Sequence, residues 1–311
     1  MIIKEENYLT KKDLLELDKE TKLIPITFDY MFKGIFMNDL NLLKEFIISQ
    51  LEFDEIITTY NCKIRLLNNE LPKENKNEYK KTIFLYVSID NKIFVEIEIN
   101  RELFKDIKMR NYLYANKLYT MLLEQGESVK ELSDKTFIQI NLNAKDVKVD
   151  KGDAFIVPYD IRNKEVYIKN NITILKYLEY YRKKFYNDNK LSHSDMWLVM
   201  LTSETFEELY ELTGYIMNDK MRDKYIRKVI NMSKDSFILH EWEKEKLDEL
   251  VEYEKRKNAL EEGLEQGIEQ GIEQNKLEVV KNMLDENLNI KLISKVTGLS
   301  EKEIIKIKEA L

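Results

Sequence analysis

A chain of 311 residues, 43% of them hydrophobic and 34% charged, can bury a core beneath a heavily charged surface and has room for two domains or one domain with a long appendage. The net charge of −7 argues against a surface coated for nucleic acid, and the single cysteine, Cys62, excludes an internal disulfide and a multi-thiolate zinc site. No run of eighteen apolar residues is present to cross a membrane, and the opening MIIKEENYLTKKDLLELDKE is too charged for a signal peptide, so the expected compartment is cytoplasmic.

The first globular segment is expected to start at Leu23-Ile-Pro-Ile-Thr27, after a leader covering 1–22. Thr27 is placed to cap a helix FDYMFKGIFM, whose Met31, Phe32, Ile35 and Phe36 follow helical spacing, and Asn38-Asp39 restarts a second helix, DLNLLKEFIISQLEF. A strand CKIRLLN and a polar loop NNELPKENKNEYKK follow. Thr82–Ile89 and Lys92–Asn100 alternate with period two across Asp90-Asn91, the pattern of a tight hairpin. A helix from about Leu103 to Gln125 ends at Gly126, with strands KTFIQINLN and NKEVYIKN beyond it. The order describes an α/β domain with a mixed sheet flanked by helices over 23–172.

From Ile174 onward the pattern is helical, with a helical region over 173–260. The segment EEGLEQGIEQGIEQ within 261–276 repeats every four residues: Gly263, Gly267 and Gly271 alternate with Leu264, Ile268 and Ile272. Each mid-helix glycine costs roughly 0.8–1 kcal/mol against alanine. The segment therefore reads either as a low-complexity helical linker or as a self-association surface that makes a homo-oligomer. Residues 277–311 form a small helical hairpin, in which Gly298 ends one helix and Ser300 with Glu303 opens the next as a capping box. Such a hairpin serves packing, oligomerisation or DNA contact.

The chemistry-bearing residues are few. His193 lies in the helix-start signal LSHSDMW and His240 in the charged run LHEWEKEK, and each reads as an ordinary packing or surface residue. The eight glycines form no phosphate-binding loop. Carboxylates remain, and these suit a hard cation such as Mg²⁺. In KIFVEIEIN, Glu96, Glu98 and Asn100 share one strand face, two residues and so about 7 Å apart. By itself that face reads as a solvent-facing strand surface or as a converging site. Two segments are locally basic: Arg101–Lys117 with five basic and two acidic residues, and Asp219–Asp235 with six and three. Each is a solvated helix face or a phosphate contact.

Taken in order, FDYMFKGIF, a hairpin ending in IEIN, RNYLYANKLY leading to EQG, IQINL and the tail EEGLEQGIEQG before VTGLSEKEI resemble the PD-(D/E)XK nuclease superfamily. More closely they resemble its recombination-promoting nuclease and putative transposase family, over residues 23–311. The resemblance implies a restriction-endonuclease-like core and a DNA endonuclease dependent on Mg²⁺ or Mn²⁺, tied to mobile elements, recombination or defence. It makes Asp29 the helical acid, Glu98 the strand acid and Asn100 the third-position polar group. Lys33, Arg110 and Lys117 become candidate DNA contacts. The same alignment places Tyr86 where the family has a metal-binding Asp, and a neutral phenol does not replace a bridging carboxylate. Glu96 is the neighbouring acid that would restore a metal seat with Glu98 and Asp29; Asp90 has the right parity but lies nearer the turn. The alternative is an inactive nuclease fold that binds DNA, regulates or oligomerises.

Overall fold

The computed structural model describes residues 8–51, 62–67, 85–101, 107–123, 127–145, 151–188 and 190–310. The polar loop over 68–81, the first residues of the Thr82–Ile89 strand and the Gly126 cap lie outside them. The chain divides into two units between Trp242 and Glu243.

The first unit is built on a mixed six-stranded sheet. Its strands are β1 (Ile64–Leu66), β2 (Leu85–Ile89), β3 (Ile93–Asn100), β4 (Thr136–Asn143), β5 (Asp153–Ile156) and β8 (Asn171–Tyr177), in the order β1-β2-β3-β4-β8-β5. β3, β4 and β8 run parallel to one another, and the remaining pairings are antiparallel. The hairpin between β2 and β3 turns tightly because Asp90 and Asn91 both take left-handed backbone angles, φ 50° and 57°, and the Lys92 N–H donates to the Ile89 carbonyl. β6 (Tyr159–Asp160) and β7 (Glu165–Val166) form a separate small ribbon, which takes up part of the expected strand NKEVYIKN.

One face of the sheet is aliphatic. Leu85, Val87, Val95, Ile97, Ile138, Ile140, Leu142 and Ile174 pack against helices α1 (Lys11–Glu20), α2 (Asp29–Phe36), α3 (Leu40–Leu51), α7 (His193–Met200), α8 (Phe206–Thr213) and α9 (Asp219–Ser233). Within that layer α1 packs on α8, α2 on α9 and α3 on α7. α1 falls in the stretch expected as a leader, yet its Leu14 and Leu17 are fully buried in this core, and its Asp18 accepts from the backbone N–H groups of Phe206 and Glu207 at 2.8 and 3.0 Å. A capping box between Thr10 and Asp13 starts it.

Two further local readings are corrected. Phe28, not Thr27, is the cap residue of α2, with no side-chain bond, and Thr27 is itself buried. Ile174–Tyr177 is strand rather than helix. Its run NITILKY is β-branched, and β8 must complete the parallel set with β4 before α6 (Leu178–Asp188) begins. The basic segment 219–235 is α9, an amphipathic helix that buries Tyr225, Ile226, Val229 and Ile230 and leaves its other face polar.

The second unit takes most of α10 (Ser236–Asp285), then α11 (Ile290–Thr297) and α12 (Glu301–Glu309). Val280, Ile293 and Ile304 form its small core. Gly298, at φ 75°, closes α11 in the left-handed region, and Ser300 with Glu303 opens α12, as the spacing predicts. Among the described residues no helix is long and apolar enough to cross a membrane.

Candidate active site

The opposite face of the sheet is covered by α4 (Ile107–Met121), and it changes character along its length. At one end Tyr86, Phe94 and Phe137 pack with Ala115, Leu118 and Leu122. Moving along the strands, the parallel register sets Glu96 beside Gln139, Glu98 beside Asn141 and Asn100 beside Asn143. Period-two alternation has thus placed two carboxyls and four amides on one face. It is not a solvent-facing surface: Glu96 and Glu98 are 1% and 2% exposed, and Gln139 and Asn141 are fully buried.

Burial of so many polar groups requires partners, and a ladder of amides supplies them. Asn100 Nδ2 donates to Asn143 Oδ1 at 2.9 Å, and Asn111 Nδ2 donates to Asn141 Oδ1 at 2.7 Å. Asn141 Nδ2 donates to Gln139 Oε1 at 3.0 Å, while Gln139 Nε2 donates to the Asn111 carbonyl at 3.0 Å. These bonds tie β3, β4 and α4 together through their side chains. Gln139, Asn141, Asn143 and Asn111 are the residues the sequence reading missed. The alternating amides of KTFIQINLN were the available signal, since they repeat the spacing of KIFVEIEIN.

Arg110 closes the polar end. Its Nη2 donates to Glu98 Oε1 at 3.1 Å and to Asn100 Oδ1 at 3.4 Å, so one guanidinium nitrogen bridges both members of the Glu-x-Asn pair. Among the described residues, Glu96 Oε2, Glu98 Oε2 and Arg110 Nε are buried without a hydrogen-bond partner. Burial pushes the Glu96 carboxyl up to about 8, against the opposing influence of the Gln139 amide and the Arg110 charge. Glu98 is held well above the ordinary carboxyl range, first by burial and then by neighbouring Glu96, with Arg110 opposing and Asp29 adding to the rise. Asp29, in the first turn of α2, is raised by burial while Lys33, Arg101 and Arg110 pull it down. Asp29, Glu98, Arg110 and Lys33 thus form one electrostatic neighbourhood, with Glu96 directly beside it. Lys33 stands half-buried one turn beyond Asp29, and Lys117 is half-buried on α4 about two turns beyond Arg110.

Tyr86 pairs in register with Glu96. Its ring belongs to the apolar cluster, 6.5 Å from that of Phe94, and burial with the Glu96 charge pushes its phenol above the usual range. Arg101 ends the strand with its guanidinium 4.6 Å from the Trp242 ring and 5.9 Å from that of Phe28, beside Asp29.

A model of the PD-(D/E)XK nuclease family transposases matches residues 26–263. The chain belongs to that family. No curated protein and no solved structure matches this chain. The matched span contains the whole sheet and every residue of the buried polar face, and the mixed sheet flanked by helices fits the family.

Nucleases of the PD-(D/E)XK type generally use divalent metals held by converging carboxylates. Among the described residues no group of three or more His, Cys, Asp or Glu side chains is placed to hold a metal ion. Tyr86 offers only a neutral phenol beside Glu96, and Glu98 is already engaged by Arg110. The donor set as it stands does not fit a metal seat of the family type.

Proposed function

We propose that this chain is a DNA-engaging protein of the PD-(D/E)XK transposase family whose endonuclease centre is degenerate, so that it keeps the fold without efficient phosphodiester cleavage. The observation that carries the reading is Tyr86: it lies in register with Glu96 and packs into the apolar cluster, while Arg110 provides the only cation bonded to Glu98 among the described residues. DNA is the partner the family suggests, with Arg110, Lys33 and Lys117 as contact candidates from their position around the carboxyl face.

One observation favours a second reading, in which Glu96 restores a Mg²⁺ or Mn²⁺ seat with Glu98 and Asp29. Both glutamates carry a buried, unpartnered Oε2, the kind of atom a cation would satisfy.

Supercoiled plasmid with Mg²⁺ or Mn²⁺ separates the two. The expected result is that wild-type protein retards DNA on a native gel without cutting it, and that Tyr86→Asp gains metal-dependent nicking. Wild-type cleavage that disappears in Glu98→Ala would overturn the degenerate reading and establish the rebuilt centre.

A further inference from the structure

Helix α4 roofs the buried polar face, and its outer side is not the polar surface that an amphipathic helix turns to water. Met109, Tyr112 and Leu113 are 61%, 61% and 58% exposed. At 100° per residue they fall within about 100° of one another, on the side of the helix opposite buried Asn111, Ala115 and Leu118. A single exposed apolar side chain needs no explanation, but three adjoining ones on one helix face do. The stripe is hemmed by cations, with Lys108 on one flank and Arg110 and Lys117 on the other. α4 carries these three basic residues and no acidic one, in a chain whose net charge is −7. Met109, Tyr112 and Leu113 also share the first two turns of α4 with Arg110, whose guanidinium reaches Glu98 and Asn100. The stripe is therefore continuous with the candidate site.

We infer that this face of α4 is a stacking platform for unpaired bases, so that the DNA engaged at the site is single-stranded or locally opened rather than fully paired. The inference rests on the DNA-engaging reading above and names its substrate class. Charge complementarity selects the occupant. An exposed ring set between cations suits a nucleic-acid strand, which lays its phosphates on the cations and a base on the ring. Met109 and Leu113 extend the apolar surface beside Tyr112 and give the base edge a dry neighbour. A paired duplex has no use for such a stripe. Its base faces are already stacked on one another, and its phosphates need only the cations. An unpaired base offers a free face to the ring, whatever its sequence.

Fluorescence anisotropy of the full chain tests it, with EDTA present to stop cleavage. The probes are a labelled DNA strand of about 20 nucleotides without self-pairing, longer than one such site needs, and the same strand annealed to its complement. Wild-type protein binds the single strand at least about 5-fold more tightly than the duplex, the least that one stacked base supplies. Tyr112→Leu keeps an apolar side chain but loses the ring, and it weakens single-strand binding by roughly 5–150-fold while duplex binding stays within about twofold. Tyr112→Phe keeps the ring and binds like wild type. The side chain is 61% exposed, so both variants melt with wild type. Failure of wild type to bind either probe would overturn the DNA-engaging reading and this inference with it. Tighter binding of the duplex, or equal weakening of both probes in Tyr112→Leu, would leave DNA engagement standing and overturn the stacking platform. So would a Tyr112→Leu chain that binds the strand like wild type but sediments as a smaller species, which would assign this face to a second copy.

Discussion

The two faces of the central sheet use the same strands to opposite ends. On one, Val95, Ile97, Ile138, Ile140 and Leu142 meet a thick layer of helices through aliphatic and aromatic contact. On the other, one residue along each strand, Glu96, Glu98, Gln139 and Asn141 are buried just as deeply beneath a single helix. The first face contributes stability by removing area from water, whatever the details of its neighbours. The second is stable only on conditions: each amide must keep its partner, Arg110 must stay on Glu98, and the Glu96 carboxyl is stabilised by holding its proton. A sheet face with so many conditions is one shaped by chemistry rather than by packing, and it lies within the span that the family model matches.

The comparison is broken most severely from its aliphatic side. Ile140, fully buried in the middle strand, loses most of its side chain in Ile140→Ala and leaves a cavity between the sheet and its helices. The expected loss is about 2–5 kcal/mol in urea unfolding. On the polar side, Asn141→Leu keeps the branched heavy-atom skeleton but removes an acceptor from Asn111 and a donor from Gln139. Each group left without a partner costs about 1–3 kcal/mol, so the same unfolding experiment shows a loss comparable to the smaller cavity cost. A neutral Asn141→Leu would mean that the ladder is not closed and that the polar face is open to water.

How far each face could be read from sequence follows from what encodes it. The hairpin was legible because two alternating runs flank Asp90-Asn91, residues suited to the left-handed angles that the turn requires. The capping box at Ser300 was legible for the same reason, since it is local. Glu96, Glu98 and Asn100 were legible as a shared face by parity alone, but their burial was not, because it depends on α4 covering them from another part of the chain. The amides of β4 were overlooked because neutral Gln and Asn on a strand carry no signal until register sets Gln139 beside Glu96 and Asn141 beside Glu98. β8 was misread where NITILKY runs without a break into the helical LEYYRKKFY; the helix pattern was extended backwards over residues that only the parallel pairing with β4 identifies as strand. Arg110 was picked out as basic and placed at the site, but its bond to Glu98 belongs to tertiary geometry.

The smallest effect expected is also the one that most sharpens the contrast, because the aliphatic face has no counterpart to it. With its carboxyl raised from 4.5 to about 8, Glu96 keeps a proton in the folded chain over a range where the unfolded chain has lost it. The folded state binds more protons there, so the stability contributed at this position falls as pH rises through the window from about 4.5 to about 8, and it changes little on either side. Glu96→Gln is neutral at every pH and close in shape, so it removes that fall. The variant should melt with wild type near pH 5 and a few degrees above it at pH 8.5, where wild type must ionise a carboxyl with an unpartnered oxygen or hold its proton against the solvent. The measurement is the difference between the two melting temperatures across pH, which cancels titrations common to both chains. A difference that stays flat from pH 5 to 8.5 would mean that Glu96 is ionised throughout, and a bound cation would then be the natural reason, returning the argument to the rebuilt metal seat.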